Sequence, residues 1–351
     1  MRIETFSIND PRWIATLRRL RHDFYHQPSY VRLDSRWMKA TPEALLVSDS
    51  GRLFFVPYLM RSCRPLFPQM QEPIFDVISP YGYPGILIND TGRDASFAAD
   101  SFAAFQETLA GRGVCSAFLR MHPILGHDFT KFFPPDVFTD SGETVAVDLD
   151  LDEAALFQQL RRGHKVVLRK CAGLGYSVRF VPLTDVLDAF IEIYEQTMDR
   201  VQARDTYYFD REYFADIALL PGVHCGIVES GSTIVAACIF FERGGIVQSH
   251  LGGTRTEFFS SSPFHLAFYQ AILWAKSRGN RWLHLGGGVG GRDDSLLRFK
   301  RDFSPVRFQF LTSRLIINKA KYHQLVDLKV QVAKMPPEIC MSSKFFPAYR
   351  N

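Results

Sequence analysis

The sequence is long enough for two domains of ordinary size, and its composition is that of a folded protein. It has 351 residues, of which 46% are hydrophobic and 22% charged, and its formal net charge is +4. These values exclude an intrinsically disordered chain and the strongly basic composition of a dedicated nucleic-acid-binding protein, so no DNA partner is expected. The mild positive charge permits an anionic ligand without requiring one.

The six cysteines are scattered, with no Cys-x-x-Cys pair and no Cys/His spacing of the kind that binds zinc. Free thiols and no metal site are therefore expected. The N-terminal stretch MRIETFSINDPRW has no apolar signal core, and no run approaches the ~18 apolar residues of a membrane span. We predict a cytoplasmic protein without a transmembrane segment; its oligomeric state is left open by the sequence.

The first half of the chain contains short apolar runs and two helical patterns. Strands are predicted at MRIETFSI, EALLVSD, RLFFVPYLM, PIFDVIS, VCSAFLR and ETVAVDL, and helices at PRWIATLRRLRHDFY and ASFAADSFAAFQETLAG. The junction with the second half is predicted near Asp148–Asp152, without a low-complexity linker.

The second half opens with a predicted helix, LDEAALFQQLRRGHKVVLRKCAGLG, in which Leu156, Leu160, Gly163, Val167 and Cys171 form an apolar stripe. The elements predicted after it are the strand YSVRFV, the helices TDVLDAFIEIYEQTMDRV and REYFADIAL, the meander VHCGIVES, STIVAACIFFE and GIVQSHLGG, the helix SPFHLAFYQAILWAKSRG, the strand RWLHL, a short helix around DSLLRFK and the strand VRFQFL. A basic helical tail follows.

The loop LGGGVGG contains the spacing GxGxxG at Gly286, Gly288 and Gly291. This spacing occurs in dinucleotide-binding loops, but such a loop follows the first strand of an alternating β/α fold. Here it follows what the pattern predicts to be the fifth strand of the second half. The element order instead matches the GNAT-type N-acyltransferase fold, a mixed sheet that splays open to admit an acyl donor.

Three motifs resemble the FemAB-like peptidyltransferases, which are double-GNAT proteins. They are the block from HLGGT through SPFHLAFYQAILWAKSRGNRWLHLGGG to DSLLRFKRDFS, the loop SPYGYPGIL, and the basic helix LRRGHKVVLRKCAGLGYSV. The resemblance implies an α+β fold of two tandem GNAT-like domains, each a mixed, splayed sheet flanked by helices. We assign residues 1–148 to the first and 149–317 to the second, which carries the active site; the tail 318–351 is expected to pack back on the first.

The resemblance further implies transfer of an acyl or aminoacyl group to an amine of a cell-envelope precursor, such as a peptidoglycan precursor. No tightly bound cofactor is expected; the donor is either aminoacyl-tRNA or acyl-CoA. The glycines of the GNAT pyrophosphate loop are absent from RTEFFSS at Arg255–Ser261, which disfavours acyl-CoA. An acyl-CoA-dependent N-acyltransferase acting on an amino sugar, and a non-catalytic ligand-binding module, remain the alternatives.

By the same resemblance, Lys300 lies at the active cleft, where its ammonium would stabilise an oxyanion. Phe299 is a cleft wall or a core side chain. His250 and Asp294 are the candidate proton acceptors; the alternatives are a buried histidine and a helix N-cap. His284 on the facing strand is expected either to act at the site, where it would contact the substrate, or to be a buried histidine.

Further candidates for substrate binding come from loops and from the basic helix. Tyr81 and Tyr83 are expected either to stack on a ligand or to pack in a rigid turn. Arg204 and Tyr208 invite the same two interpretations. The remaining candidates are Arg161 and Lys165, which would bind phosphates or form a solvated helix face, and Gly287 and Gly288, whose bare backbone a substrate would approach.

Overall fold

A computed structural model describes residues 1–70, 72–334, 336, 340 and 345–351. The chain forms two compact units, Met1–Ser141 with Gln309–Asn351, and Gly142–Phe308. In the described part of the chain, no helix has both the length and the apolar character needed to cross a bilayer.

The first unit contains a mixed sheet and four helices among its described residues. Its strands are β1 (Arg2–Ser7), β2 (Thr41–Asp49), β3 (Arg52–Ser62), β4 (Phe75–Ile78), β5 (Leu87–Ile88) and β6 (Val114–Arg120). Its helices are α1 (Pro11–Leu17), α2 (Pro28–Trp37), α3 (Ala95–Gly111) and α10 (Lys319–Ala333). Helix α2 was not predicted; the predicted helix PRWIATLRRLRHDFY ends at Leu17, and a second helix begins at Pro28, which suits a first helical position.

The second unit repeats this architecture. Its strands are β8 (Ser177–Val181), β9 (Val223–Ser230), β10 (Thr233–Arg243), β11 (Ile246–Thr254) and β12 (Trp282–Gly286). Its helices are α4 (Glu153–Gln159), α5 (Arg162–Gly173), α6 (Leu187–Arg200), α7 (Arg211–Ala218), α8 (Pro263–Ser277) and α9 (Ser295–Arg301). The remaining strands, β7 (Thr139–Asp148) and β13 (Arg307–Ile316), contain the two points where the chain passes from one unit to the other.

The strand order is the same in both units. In the first it is β1-β2-β3-β4-β6-β13, with β5 beside β3, and in the second it is β8-β9-β10-β11-β12-β7. Each unit has one parallel pair, β4 with β6 and β11 with β12, next to a run of antiparallel strands. The repeated order predicted from the sequence is therefore present in the structure.

The last strand of each sheet comes from the other half of the sequence. Residues 312–316 of β13 pair with β6 in the first unit, and residues 145–148 of β7 pair with β12 in the second. We had predicted the opposite assignment, with ETVAVDL completing the first half and VRFQFL the second. Because of this exchange, the chain passes from one compact unit to the other between residues 141 and 142 and again between residues 308 and 309. The predicted domain boundaries lie after the two strands, at residues 148 and 317.

The helix predicted at the start of the second unit is two helices. The chain is extended at Leu160 and Arg161, with ψ of 135° and 151°, so α4 and α5 do not share one helical phase. As a result His164, Leu168 and Cys171 are the buried residues of α5, and Gly163 is exposed. Leu156, Leu160 and Cys171 of the predicted stripe are buried, Val167 is half-buried against the same core, and Gly163 is the member that the prediction placed wrongly.

The described part of the C-terminal segment is anchored to the first unit by a buried carboxylate. Asp76 in β4 is fully buried and accepts hydrogen bonds from Arg61 Nε at 2.7 Å and from the Tyr349 hydroxyl at 3.0 Å, and it also binds Arg350. The Tyr349 hydroxyl lies 2.8 Å from Ser116 Oγ as well. Loss of any of these partners leaves a buried charge with fewer donors, which is costly.

We expect Tyr349→Phe to lower the free energy of unfolding by about 1–3 kcal/mol, because it removes one donor from the buried Asp76 carboxylate. Urea denaturation followed by circular dichroism measures the change. Tyr208→Phe is the matched control, since it removes an exposed hydroxyl that donates to Asp199. Equal effects of the two substitutions would contradict the assigned role of Asp76.

Candidate active site

The parallel pairing between β11 and β12 ends part-way along both strands. Three residues of each strand pair, and the last pair is Gln248 opposite His284. Strand β11 continues to Thr254 alongside β10, and β12 continues to Gly286 alongside β7. The two strands therefore diverge beyond this pair. This is the splayed sheet that the sequence resemblance implies.

Lys300 places a cation where these strands part. Its Nζ donates to the carbonyl oxygen of Gly287, which directly follows β12, at 2.7 Å. Burial lowers the pKa of the half-buried Lys300 ammonium to about 8, while the nearby Asp294 and Cys238 act in the opposite direction. At pH 7 roughly nine-tenths of the lysine side chains still carry a charge. One of the three ammonium protons is bound by Gly287, which leaves donors for a substrate oxygen.

Asp294 caps the helix that carries Lys300. One carboxylate oxygen accepts from the amide of Leu297 at 2.9 Å, and the other accepts from the amide of Val289 at 2.8 Å. Burial raises the pKa of Asp294, but these amides, that of Leu296 and the charge of Lys300 outweigh it, so the pKa is lowered. The carboxylate is an N-cap and a weak proton acceptor. Its predicted role as a base therefore has little support from its surroundings.

The glycines predicted to line the site are required by the loop itself. A Cβ on Gly288 would lie 2.1 Å from the carbonyl oxygen of Arg292 and 2.6 Å from Asp294 Oδ1. A Cβ on Gly287 would lie 2.7 Å from the carbonyl oxygen of Glu143 in β7. Both contacts are too close for any side chain. The glycines allow the loop to close on Asp294 and bring the Gly287 carbonyl to Lys300.

His250 lies on the opposite face of the sheet from Lys300. Its ring stacks on Phe241, with centroids 4.1 Å apart. The preceding residue, Phe240, belongs to the core cluster that contains Leu297 of α9. Because neighbouring residues of a strand point to opposite faces, the structure does not bring His250 and Lys300 together. Burial lowers the pKa of His250 to about 3, so that it is a weak base at neutral pH.

His284 shares the face of His250. Its Nδ1 lies 2.6 Å from the side-chain oxygen of Gln248, and both side chains are buried. Gln248 pairs with Phe241 across the sheet, which places these residues on one face. A role of His284 in substrate binding stays a prediction.

The first turn of α5 is bonded to the last turn of α9. The Arg161 amide donates to the carbonyl oxygen of Asp302 at 3.0 Å, and His164 Nε2 donates to that of Phe299 at 3.1 Å. The last four carbonyls of a helix have no partner within it. His164, which is 5% exposed, therefore satisfies the carbonyl of the residue before Lys300. Sequence analysis missed this residue because it assumed one continuous helix.

The ring of Phe299 belongs to the core of the second unit. It packs edge-on against His265, with centroids 4.8 Å apart, and lies 5.2 Å from Phe303 and 5.6 Å from Phe268. The His164 ring lies 5.4 Å away. Phe299 is half-buried and packs against this core, and its role as a wall of the cleft stays a prediction.

The two basic candidates at the start of α5, Arg161 and Lys165, have partners within the unit. Arg161 is exposed, and its Nε lies 3.1 Å from Asp302 Oδ1. Lys165 Nζ donates to the carbonyl oxygen of Gln158 at 2.9 Å and lies 5.4 Å from the centre of the Phe157 ring. Phosphate binding by these side chains stays a prediction.

Arg204 and Tyr208 lie in an exposed segment between α6 and α7. The Tyr208 hydroxyl donates to Asp199 Oδ1 at 2.9 Å. No contact within the second unit links either residue to the gap between β11 and β12. Their role in binding substrate stays a prediction.

Tyr81 and Tyr83 belong to the first unit, where their loop is tightly held. The Tyr81 amide donates to the buried Asp34 carboxylate at 2.9 Å, and its carbonyl oxygen accepts from the Tyr30 hydroxyl at 3.0 Å. The half-buried Tyr83 ring packs edge-on against Phe310, with centroids 5.3 Å apart. These contacts are those of a rigid turn, which is one of the two alternatives. The other alternative, stacking of the rings on a ligand, stays a prediction.

A buried network in the first unit escaped the sequence analysis. Asp23, His26 and His122 are each 0% exposed, with Asp23 Oδ1 2.7 Å from His26 Nδ1 and Oδ2 3.0 Å from His122 Nε2. His122 is distant in sequence from the other two residues, and no local pattern marks their contact. Among the described residues, no group of three or more His, Cys, Asp or Glu side chains is arranged to hold a metal ion.

Comparison with known proteins identifies the class of the fold. Residues 158–301 match the family model of the acetyltransferase (GNAT) domain. This range contains α5 through α9, including Lys300 and the diverging strands. No curated protein sequence matches the chain significantly.

Solved structures match both units. A crystal structure of FemX is 12% identical, with a TM-score of 0.67 over 92% of this chain and 99% of its own. The C-terminal domain of a putative lysylphosphatidylglycerol synthetase from Agrobacterium fabrum is 16% identical, with a TM-score of 0.57 over 88% of this chain and 92% of its own. A tandem GNAT protein from the clavulanic acid biosynthesis pathway is 10% identical, with a TM-score of 0.50 over 89% and 98%.

The chain therefore has a FemAB-like double-GNAT fold. The predicted fold class, α+β with two tandem GNAT-like domains, is confirmed. The fold and the matched domain also support an acyltransferase.

His164→Leu should raise the pKa of Lys300, because the unsatisfied Phe299 carbonyl loosens the last turn of α9 and lets water reach the ammonium. The pH dependence of Lys300 modification by an amine-selective reagent, located by mass spectrometry, measures this pKa. His164→Gln retains an N–H donor for the Phe299 carbonyl, so the pKa of Lys300 in this variant should stay close to the wild-type value.

His265→Leu is the matched control, because His265 lies in the same ring cluster, with its ring centroid 4.4 Å from that of His164, but is not the donor to the Phe299 carbonyl. It should leave the pKa of Lys300 at about 8. An unchanged Lys300 pKa in His164→Leu would show that the contact between α5 and α9 does not position this lysine.

Proposed function

We propose that the second unit transfers an aminoacyl group from aminoacyl-tRNA to an amine of a cell-envelope precursor. The observation that carries this proposal is the Lys300 ammonium, held on the Gly287 carbonyl where β11 and β12 diverge. A charged donor in a partly dehydrated position can stabilise an oxyanion far better than one in water.

In the proposed reaction the acceptor amine attacks the ester carbonyl carbon of the donor. A C–N bond forms, and the carbonyl oxygen becomes an oxyanion that accepts a hydrogen bond from Lys300. Collapse of this intermediate breaks the C–O bond to the ribose. The departing oxygen takes up the proton that the amine loses, so the products are an amide and a free hydroxyl group.

This route needs no side chain that acts as a base, because Lys300 acts only as a charged hydrogen-bond donor. His250 lies on the other face of the sheet, and Asp294 is engaged by backbone amides. The balance of protons is met by the substrates themselves, while the protein supplies the charge and the geometry.

The segment after β11 favours an ester donor over acyl-CoA. In GNAT-type enzymes a glycine-containing loop here brings backbone amides to the CoA pyrophosphate. In this chain Thr256–Ser261 forms a 3-10 helix instead, and its amides at Thr256 and Phe258 donate to Gln196 Oε1 and to the carbonyl oxygen of Arg255. Two of the amides are thus engaged, and the segment has no glycine to let a pyrophosphate approach the backbone.

The arginine that remains from the pyrophosphate motif is also engaged. The Arg255 guanidinium binds both carboxylate oxygens of Glu192, and its Nε donates to the carbonyl oxygen of Ile234 at 2.7 Å. It would have to leave these partners to meet a phosphate. The acceptor class rests on the sequence resemblance and on the fold shared with FemX and the lysylphosphatidylglycerol synthetase domain.

Lys300→Ala should reduce turnover a hundredfold or more, because the oxyanion loses its charged donor. The assay follows loss of labelled amino acid from tRNA in the presence of hydroxylamine, a small amine that is already unprotonated at neutral pH. Activity of the wild-type protein should fall as the pH rises through about 8, since the folded-state pKa of Lys300 has that value and the charged form is lost above it.

Lys300→Arg is the matched variant for this pH dependence. Its guanidinium keeps its charge throughout the range, so the decline near pH 8 should vanish even if the rate is lower. Activity of the wild-type protein that rises through the same pH would show that uncharged Lys300 acts as a base, which would contradict the oxyanion role.

Aminoacyl-tRNA should donate its amino acid in the presence of this protein, whereas acetyl-CoA should neither raise the melting temperature nor donate its acetyl group. Thermal shift and product analysis with glucosamine as the acceptor test the second statement. Acetylated glucosamine would instead establish an acyl-CoA-dependent enzyme acting on an amino sugar. Binding of either donor without any product would indicate a non-catalytic module.

A further inference from the structure

Positive charge accumulates in a segment of the first unit, as it does in residues 161–170 of the second, where Arg161 and Lys165 have partners within the unit. Residues 11–39 contain seven Lys/Arg and two Asp, a formal charge of +5, whereas the whole chain has +4. The rest of the chain is therefore close to neutral, with a formal charge of −1. The mild overall charge hides a strong local asymmetry, which is a typical sign of an anionic partner.

The two acidic residues of this segment do not reach its surface. Asp23 and Asp34 are 0% and 1% exposed, and both are engaged inside the unit. The cations, in contrast, are all exposed. Arg12 forms ion pairs with Asp10 and Glu4, at the start of α1. The other six define what we call the arginine surface: Arg18, Arg19, Arg21, Arg32, Arg36 and Lys39.

Helix geometry gathers these side chains. The exposed positions of α2 are Ser29, Arg32 and Arg36, which share one face of the helix at spacings of three and four residues. Similarly, the exposed positions of α1 and the turn after it follow one face and end at Arg18 and Arg19.

Two contacts join these faces. Arg32 Nη2 donates to Asn9 Oδ1 at 2.8 Å, next to the residue that caps α1. Trp13 of α1 donates through Nε1 to the carbonyl oxygen of His26, just before α2, at 3.1 Å. These contacts pack α1 and α2 together, with Arg32 at the start of α1 and Arg18 and Arg19 at its end, so that the exposed cations of both helices belong to one part of the first unit.

We infer that the arginine surface binds the phosphate backbone of the tRNA that carries the donor amino acid. This inference rests on the proposed aminoacyl-tRNA donor and extends it, because it assigns tRNA binding to a surface of the first unit. Five of the six cations are arginine, whose planar guanidinium matches phosphate with two parallel hydrogen bonds. Contacts of this kind position a nucleic acid without reading its sequence.

An anionic membrane is the other large partner that such a surface suits, and the segment lacks what membrane binding requires. Helices that lie on bilayers combine cations with exposed Trp, Phe or Leu side chains that insert among the lipids. In residues 11–39 no large apolar side chain is exposed: Trp13, Leu17, Phe24 and Tyr30 are each at most 2% exposed, and Ile14, Trp37 and Met38 are half-buried. The exposed face offers charge without an apolar anchor, which favours RNA.

The test compares binding of bulk tRNA to the wild-type protein and to the triple variant Arg18→Ala, Arg19→Ala, Arg21→Ala, by fluorescence anisotropy at several salt concentrations. We expect at least a tenfold loss of affinity at about 0.1 M salt, and a slope of log K against log salt that is flatter by about two to three, because each lost phosphate contact removes nearly one unit. The variant Arg32→Ala, Arg36→Ala should show a smaller loss in the same direction.

The charge-matched control is Arg64→Ala, Lys131→Ala, Arg243→Ala, which removes three exposed cations outside the surface. It should change tRNA affinity less than about twofold, since its side chains make no phosphate contacts. Equal losses in the two triple variants, or tRNA affinity unchanged in the first, would overturn the inference. Melting temperatures establish that each variant is folded.

Vesicles of phosphatidylglycerol provide the second arm. Loss of vesicle binding in the Arg18/Arg19/Arg21 variant with unchanged tRNA binding would assign the surface to a membrane and overturn the inference. The transfer assay separates this result from the proposed function: we expect the variant to show a raised KM for aminoacyl-tRNA with kcat retained. Absence of transfer in the wild-type protein would refute the proposed function, while the binding comparison would still decide the role of the surface.

Discussion

The charge on Lys300 is the constraint on which the rest of the candidate site depends. A cation that loses water is stable only where acceptors and opposite charge replace it. The Gly287 carbonyl, directly after β12, supplies the acceptor, and Asp294 supplies the nearby negative charge. Both belong to the same loop. Its glycines are therefore needed to bring a carbonyl and a cap into place together, which is a different requirement from that of a dinucleotide-binding loop.

The second unit could be predicted well because its local patterns agree with its tertiary structure. The antiparallel meander is marked by tight turns at Gly231 and at Gly244–Gly245, all with positive φ, and α8 begins at Pro263 as expected. The first unit was less predictable: α2 is amphipathic but only ten residues long, and it lies close after α1, so its pattern was not recognised as a separate helix. The break at Leu160 was missed, since its cause is the contact of Arg161 and His164 with α9, which no local sequence pattern records.

The site shows the same division. Lys300 was identified from a resemblance in sequence and indeed lies where the strands diverge. The faces of the sheet, however, depend on register, and a sequence pattern alone did not show that His250 points away from Lys300. The arginine surface was missed for another reason. The charge of residues 11–39 is visible in the sequence, but its meaning depends on Asp23 and Asp34 being buried, which only the fold reveals.

The exchange of end strands has a consequence for the order in which the protein is built by the ribosome. Residues 116–120 remain without their neighbouring strand until residues 312–316 have been synthesised. In the meantime the edge of β6 is open, and open edges invite unwanted pairing. The second unit, in contrast, receives β7 before the rest of its sheet is made. The part of the chain translated first is thus the part completed last, and the nascent protein must keep an unfinished sheet from aggregating throughout synthesis of the second unit.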